Sequence, residues 1–75
     1  MVTVYSKNNC MQCKMVKKYL TEHHVDFEEH NIENEPEYRQ VVLDMGYMAV
    51  PVVEYGDHQT FNGFAPDKLA ALATA

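Results

Sequence analysis

Residues 1–13, MVTVYSKNNCMQC, contain the only two cysteines of the chain, spaced as Cys-x-x-Cys. Residues 1–5 form an apolar run that predicts a strand, and residues 6–9 form a short polar loop. From Met11 onward the apolar residues recur at a helical period, with lysines on the other side. The pattern therefore predicts a strand, a short loop and a helix, with Cys10 at the helix N-terminus.

The placement of the two cysteines favours redox chemistry. A helix N-terminus has unsatisfied N–H groups and the positive end of the helix dipole, and both stabilise a thiolate on Cys10. The thiolate is the form of cysteine that reacts in disulfide exchange. Cys13 follows one helical turn later, close enough to form a disulfide with Cys10. We therefore expect Cys10, exposed at the helix start, to attack a disulfide, and the more buried Cys13 to resolve the mixed disulfide.

Basic residues collect around the cysteines. Residues 1–21 carry four lysines and no acid, whereas all eleven acidic residues follow them. Three of these lysines fit a solvated helix face. Lys7 differs because it lies in the loop, three residues before Cys10, and we expect it to favour the Cys10 thiolate directly.

Three other roles for the cysteines compete with redox chemistry. One of them, a pair of inert core thiols, would not need a position at a helix start in a polar loop. A structural zinc site needs about four ligands, and the chain offers two cysteines and four histidines, none at paired finger spacing. A zinc or iron–sulfur site would therefore require two copies of the chain to share their cysteines. A permanent structural disulfide would close a very short loop and would constrain the unfolded chain little. No metal site is predicted within one chain.

Length and composition restrict the class of protein. The 75 residues, 47% of them hydrophobic, suffice for one globular domain, residues 1–75. The net charge of −5 argues against nucleic-acid binding, which depends on neutralising phosphates. No run of about 18 apolar residues predicts a membrane span, and the N-terminus resembles a strand rather than a secretory signal. Cysteines that cycle fit a reducing compartment, so we expect a cytoplasmic monomer.

Further changes of pattern predict the remaining elements. A second strand is expected at about residues 27–32 and a second helix at about residues 34–45. Two more strands are expected at about residues 50–53 and 58–61, and a last helix from Pro66. The order βαβαββα predicts an α/β fold, a four-stranded mixed sheet flanked by three helices, because a right-handed βαβ unit gives two parallel strands and a hairpin adds two antiparallel ones. Since alternate residues of a strand face opposite sides, only one of Val52 and Val53 is expected in the core.

This outline, with Cys-x-x-Cys directly after the first strand, resembles the thioredoxin fold in its shortest form, that of the glutaredoxin-like proteins. The details are most similar to the NrdH-redoxins, the small electron donors of class Ib ribonucleotide reductase. The stretches that carry the resemblance are VYSKNNCMQCK (4–14), VDF (25–27), VPVV (50–53) and NGFAPD (62–67). Its most specific element is Met11-Gln12 between the cysteines, where dithiol glutaredoxins usually carry Pro-Tyr.

The resemblance implies a function and a set of site residues. Members of this family take electrons from NADPH through a flavin enzyme, thioredoxin reductase, and pass them to the large subunit of class Ib ribonucleotide reductase, without a bound cofactor of their own. It also implies a cis peptide bond before Pro51, facing the cysteines, and a backbone at Val50 that pairs with an extended partner segment. The residues expected to contact the partner are Met11, Gln12, Val50, Pro51, Gly63 and Phe64.

The C-terminal third departs from the family pattern at two positions. NrdH-redoxins usually carry Trp and Arg where this chain has Phe61 and Ala65, so the hydrogen-bond donors of those side chains are absent. We expect Phe61 in the core and Phe64 at the rim of the partner groove. Neither departure touches the dithiol chemistry.

A glutathione-dependent glutaredoxin is the alternative function. Glutathione recognition in that group is associated with a Gly-Gly segment followed by acidic residues at the start of the last helix. Here residues 63–67 read GFAPD, with one glycine and a bulky Phe64. The γ-glutamyl end of glutathione would therefore lack its usual binding segment.

Overall fold

The structure, a computed structural model, describes residues 2–74, which form four strands and three helices. The strands are β1 (Val2–Ser6), β2 (Phe27–Asn31), β3 (Val52–Tyr55) and β4 (Gln59–Asn62), and the helices are α1 (Met11–Glu22), α2 (Glu37–Asp44) and α3 (Pro66–Thr74). The element order is the predicted βαβαββα.

The four strands form one mixed sheet in the order β2-β1-β3-β4. β1 pairs in parallel with β2, where Val4 lies opposite Glu29, and antiparallel with β3, where Val4 lies opposite Val53. β3 and β4 form an antiparallel hairpin. The predicted minimal thioredoxin fold is confirmed, and its central strand β1 leads at Ser6 directly into the cysteine loop.

Helices cover both faces of the sheet. The α1/α3 face is closed by the buried side chains Val4, Val16, Leu20, Val53, Phe61 and Leu69. The α2 face is closed by the buried side chains Tyr5, Ile32, Val42 and Val52. Val52 and Val53 are therefore both fully buried, on opposite faces. The expectation that only one of them lies in the core is wrong, because a sheet with helices on both sides buries both sets of alternating residues.

Element boundaries lie within a few residues of the predicted ones. β1 ends at Ser6, one residue later than expected, and the expected start at Met1 lies outside the described residues. β4 begins at Gln59 because His58 has a φ of +64°, a left-handed turn conformation that cannot continue a strand. β3 begins only at Val52.

The three described helices are short. α1 has 12 residues, and its buried side chains Cys13, Val16 and Leu20 recur on one side of the helix.

Within residues 2–74 no helix is long and apolar enough to cross a membrane.

Candidate active site

Cys10 is the N-cap residue of α1. Its backbone is extended (φ −114°, ψ 109°), and its Sγ accepts a hydrogen bond from the backbone N–H of Cys13 at 3.2 Å. The sulfur thus takes the place that a Ser or Asp oxygen takes at most helix starts. The N–H of Lys14 donates to the Cys10 carbonyl at 3.1 Å. The positive end of the helix dipole favours a negative charge on Cys10, and no acidic residue in the first turn of α1 opposes it.

Cys10 and Cys13 are joined by a disulfide, with their Cα atoms 5.2 Å apart. The structure therefore holds the oxidised form of the pair. Cys10 is 8% exposed and Cys13 is 1% exposed. Cys13 is the more buried, as predicted, but Cys10 is itself buried rather than exposed. The reason is that Sγ of Cys10 is turned toward Cys13, to which it is bonded, so little of it faces solvent.

The segment before β3 lies beside the start of α1. The Val50–Pro51 peptide bond is cis, as the resemblance implies. Gly63 donates its N–H to the Pro51 carbonyl at 2.8 Å. A β-carbon on Gly63 would lie 3.4 Å from Oε1 of Gln12, and the φ of +85° at Gly63 suits only glycine without strain. The fold thus brings Gln12, Pro51 and Gly63 together, although they come from three separate stretches of sequence.

Asn62 holds residues 49–51, the segment before β3, and the sequence does not predict this role. Its Nδ2 donates to the carbonyl of Ala49 at 2.8 Å and to the carbonyl of Pro51 at 3.0 Å. The sequence pattern marks Asn62-Gly63 only as a turn, since an asparagine after a strand is a common turn residue. The exposed Asn62 side chain therefore holds the backbone on both sides of Val50.

Several predicted partner contacts are accessible at the surface. Met11 is 71% exposed, and Gln12 is also exposed. Val50 is half-buried and lines an apolar groove of about 80 Å³ beside α2, together with the exposed Met48. Phe64 is half-buried and lines a shallow depression against α1. Contact of these side chains with a partner stays a prediction.

Lys7 is exposed in the loop between β1 and α1. Its ammonium group forms no ion pair with the residues that the structure describes, unlike Lys17 on α1. The charge of Lys7 is therefore not neutralised by a neighbouring carboxylate of residues 2–74. Its predicted effect on the Cys10 thiolate stays a prediction.

A polar cluster of Ser6, Lys17 and Glu29 joins the end of β1, helix α1 and β2. The buried Ser6 hydroxyl donates to Oε2 of Glu29 at 2.6 Å, and the Lys17 ammonium donates to the same oxygen at 2.7 Å. Burial raises the pKa of Glu29, but the hydrogen bonds from Lys17 and Ser6 and the charge of Lys17 outweigh it, so the pKa lies below its usual value. Glu29 is therefore a carboxylate at neutral pH and ties α1 to the sheet.

Metal-ligating side chains are dispersed. Within the part of the chain that the structure describes, no three His, Cys, Asp or Glu side chains form a group that could hold a metal ion. His30 instead stacks on Tyr38, with ring centroids 3.9 Å apart. Among residues 2–74 the reactive chemistry that we recognise is therefore that of the Cys10–Cys13 pair.

Comparison with known proteins agrees with this geometry. Residues 2–59 match the family model described as glutaredoxin. A glutaredoxin-like protein NrdH from Lactococcus lactis subsp. lactis is 58% identical over 73 residues, which cover 97% of this chain and 100% of the relative. The protein of the same description from Escherichia coli strain K12 is 34% identical over 74 residues, covering 99% and 90% of the two chains. The chain belongs to the glutaredoxin-like NrdH-redoxins.

A solved structure leads to the same family. It is that of the glutaredoxin-like NrdH-redoxin from Escherichia coli, described as having a thioredoxin-like activity profile. It matches with a TM-score of 0.88 at 34% identity, covering 95% of this chain and 92% of that chain. Membership of this family and the Cys10–Cys13 pair make the protein a dithiol–disulfide oxidoreductase.

The two departures from the family pattern lie in or near the core. Phe61 is 3% exposed, with its ring centroid 5.9 Å from that of Tyr55 and the Lys68 ammonium 5.8 Å from it. Ala65 packs against the α1/α3 core. Phe61 is thus a core residue, as the sequence predicts. Phe64 is half-buried and packs against the α1/α3 core, and its place at the rim of a partner groove stays a prediction.

Proposed function

We propose that this protein carries electrons by thiol–disulfide exchange from NADPH, through thioredoxin reductase, to a disulfide in the large subunit of a class Ib ribonucleotide reductase. The observation that carries the proposal is the Cys10–Cys13 disulfide at the N-terminus of α1, with Sγ of Cys10 accepting the N–H of Cys13. In this role residues 1–75 act as a single domain and a monomer, with no bound cofactor, in the cytoplasm, where thiols are kept reduced.

The exchange proceeds in two balanced steps. The Cys10 thiolate attacks one sulfur of the partner disulfide, a bond forms to that sulfur, and the other partner sulfur leaves as a thiolate and takes up a proton. Cys13 then loses its proton, attacks Sγ of Cys10 and releases the first partner sulfur. Two electrons have passed to the partner, and the protein is left as the disulfide that the structure holds. Thioredoxin reductase returns two electrons by the reverse sequence.

The order of attack follows from the surroundings of the two sulfurs. Cys10 is the more accessible at 8% exposure against 1% for Cys13. Its Sγ also accepts an N–H bond at the helix start, and a hydrogen bond to the charged form lowers a thiol pKa. Exchange is fastest when the attacking thiol has a pKa near the ambient pH. These features favour Cys10 as the attacking thiol and Cys13 as the resolving thiol.

The backbone at Val50 supports docking of an extended partner segment. The N–H and C=O of Val50 form no hydrogen bond with other described residues, while Asn62 holds the carbonyls of Ala49 and Pro51 on either side. Free and rigidly held backbone groups suit recognition by strand addition. Met11, Gln12, Gly63 and Phe64 would then contact the partner side chains next to its disulfide.

The test compares two electron sources for the oxidised protein. Second-order rate constants for its reduction are measured with thioredoxin reductase plus NADPH, and with glutathione at millimolar concentration. We expect the reductase to be the faster donor by a wide margin, and the reduced protein to sustain turnover of a class Ib ribonucleotide reductase. Should glutathione prove the faster donor, or a Cys10–glutathione adduct turn over rapidly, the protein would be a glutathione-dependent glutaredoxin instead.

A variant separates docking from chemistry in the same assay. Phe64→Ala removes a half-buried apolar side chain that packs against the α1/α3 core and lines the depression on α1, and it leaves both sulfurs in place. We expect slower reduction by the reductase and unchanged reduction by dithiothreitol, a small reagent that needs no docking surface. Equal slowing with both reductants would place Phe64 in the support of the cysteines rather than in partner contact.

A further inference from the structure

The loop that precedes Cys10 forms hydrogen bonds with residues 31–34, at the end of β2 and directly after it. The backbone N–H of Asn8 donates to Oε1 of Glu33 at 2.9 Å, and Nδ2 of Asn8 donates to Oδ1 of Asn34 at 3.4 Å. In return, Nδ2 of Asn31 donates to Oδ1 of Asn8 at 3.1 Å. All three contacts join a residue two positions before Cys10 to residues 31–34.

Asn31 takes part in both loops through one amide group. Its Oδ1 accepts the backbone N–H groups of Glu33 at 2.9 Å and of Asn34 at 3.1 Å, which folds its own segment into a turn. Its Nδ2 is then left to hold Asn8. The two ends of this side chain can therefore be tested separately, since the oxygen shapes the turn and the nitrogen reaches the cysteine loop.

The cysteine loop has a reason to need support. Asn9, the residue directly before Cys10, has a φ of +54°, a left-handed conformation that asparagine adopts more readily than most residues but that is uncommon outside glycine. Such conformations persist when the surrounding structure fixes them. A change of φ at Asn9 would move the Cys10 side chain relative to α1. The hydrogen bond that the N–H of Cys13 now donates to Sγ of Cys10 depends on this position.

We propose that Asn31 is a positioning residue for thiol–disulfide exchange, acting through Asn8 to hold the loop in the conformation that aims Sγ of Cys10 at the start of α1. Asn31 touches neither sulfur. The inference rests on the proposed role of Cys10 as the attacking thiol. Loss of the contact should therefore change the reactivity of Cys10 more than it changes the stability of the fold.

Two variants remove the same hydrogen bond from opposite ends. Asn8→Ala removes the acceptor and adds no charge, and its control Asn34→Ala removes only the longer contact from Nδ2 of Asn8. Asn31→Asp keeps the oxygen that folds the turn but loses the donor, and its control Asn34→Asp adds the same charge to the same segment. Thermal unfolding of all four shows whether each variant still folds.

The measurement is the pH dependence of Cys10 alkylation in the reduced protein, followed by the rate of insulin disulfide reduction. We expect Asn8→Ala and Asn31→Asp each to react about three- to tenfold more slowly than their controls at neutral pH, the size of one hydrogen bond. Their alkylation profiles should also lie at higher pH. The double variant Asn8→Ala/Asn31→Asp should be little slower than either single variant, because both remove one contact.

The inference is overturned if Asn8→Ala reacts as fast as Asn34→Ala, or if Asn31→Asp reacts as fast as Asn34→Asp. Alkylation of Cys10 requires no electron donor and no partner protein. The profile therefore tests the positioning role even if the electron donor differs from the proposed one, and the two failures are distinguishable.

Discussion

Two helices cover one face of the sheet and one helix covers the other, and the faces differ in the size of their buried cores, with six buried side chains on the α1/α3 face and four on the α2 face. On the α1/α3 face, Leu20 and Leu69 are fully buried. On the α2 face, Leu43 is 46% exposed and Met48 is 93% exposed, and the apolar groove beside α2 stays open. The α1/α3 face thus has the larger closed core, although the outer side of α1 exposes Met11 and Met15, whereas the α2 face has a smaller core and an open apolar groove beside Met48.

The cysteines belong to the α1/α3 side, whereas the predicted partner residues lie on both sides. The cysteines begin α1, whose buried side chains Cys13, Val16 and Leu20 continue into the closed core. Val50 belongs to the open side, where it lines the groove. A closed core fixes the direction of the helix that carries the sulfurs, and apolar surface left open is typical of interaction sites. The comparison teaches that the larger core supports the helix that carries the sulfurs, whereas the apolar surface accessible to a partner comes from both faces of one small sheet.

The largest expected effect is loss of the chemistry at the closed face. Cys10→Ser should abolish disulfide reductase activity on insulin, because no other residue of the chain can replace the attacking thiol. Cys13→Ser should instead keep the first step and trap a mixed disulfide through Cys10, visible as a mass adduct of the intact protein. Retention of more than a few per cent of turnover by Cys10→Ser, or an adduct that maps to Cys13 in that variant, would reverse the assigned roles.

The same substitution on the two faces gives the next largest effect. Leu20→Ala should lower the free energy of unfolding by about 2–5 kcal/mol, since it deletes a fully buried side chain from the closed core. Leu43→Ala should change it by less than about 0.5 kcal/mol, as expected for an exposed position. Denaturant unfolding of both variants provides the measurement. Equal losses would mean that the α2 face is as closed as the other.

A smaller effect concerns the charge next to the sulfurs. Lys7→Gln should raise the pKa of Cys10 by up to about one pH unit, because a cation in the loop favours the thiolate. Thiolate absorbance near 240 nm against pH reports this, with Lys18→Gln, an exposed lysine further along α1, as the control. If the two variants titrate alike, Lys7 serves docking or solubility only.

The smallest effect is a pH dependence of the contact between α1 and β2. The pKa of Glu29 lies below its usual value in the folded protein, so its contribution to stability is present above the unfolded pKa of about 4.3 and is lost as the pH falls through the folded pKa. Glu29→Gln should therefore cost less than about 1 kcal/mol at pH 7 and less again at pH 3, as expected for a half-exposed pair. Unfolding at both pH values tests this, with Glu22→Gln as the control. A cost that grows on acidification would contradict it.

Local patterns in the sequence account for much of the fold and for the reactive pair. The apolar run before the cysteines, the helical period after them and the turn residues at Gly56 and Gly63 each specify an element without distant information. Cys10 and Cys13 stand out because their spacing and their position at a helix start are both local properties.

The supporting contacts could not be predicted in the same way. Asn62 holds carbonyls that precede β3, and Asn31 holds Asn8 across two loops. These partners are separated in sequence and meet because β1 pairs with β2, which brings Asn31 to Asn8, and because β3 pairs with β4, which brings Asn62 to the segment before β3. The burial of Cys10 cannot be predicted from the sequence either, because it depends on the orientation of its Sγ toward Cys13. Asparagine in a polar stretch predicts a loop and carries no signal for its partner.

The strand order has a consequence for self-association. β2 and β4 form the two edges of the sheet, and an edge strand can serve as a template on which other copies of a chain aggregate. β2 carries Glu28 and Glu29 side by side, and β4 is only four residues long. Charged or very short edges discourage such aggregation. Val50 lies away from both edges. Backbone pairing there would let the protein form main-chain hydrogen bonds with a partner without exposing a long edge strand to other copies of itself.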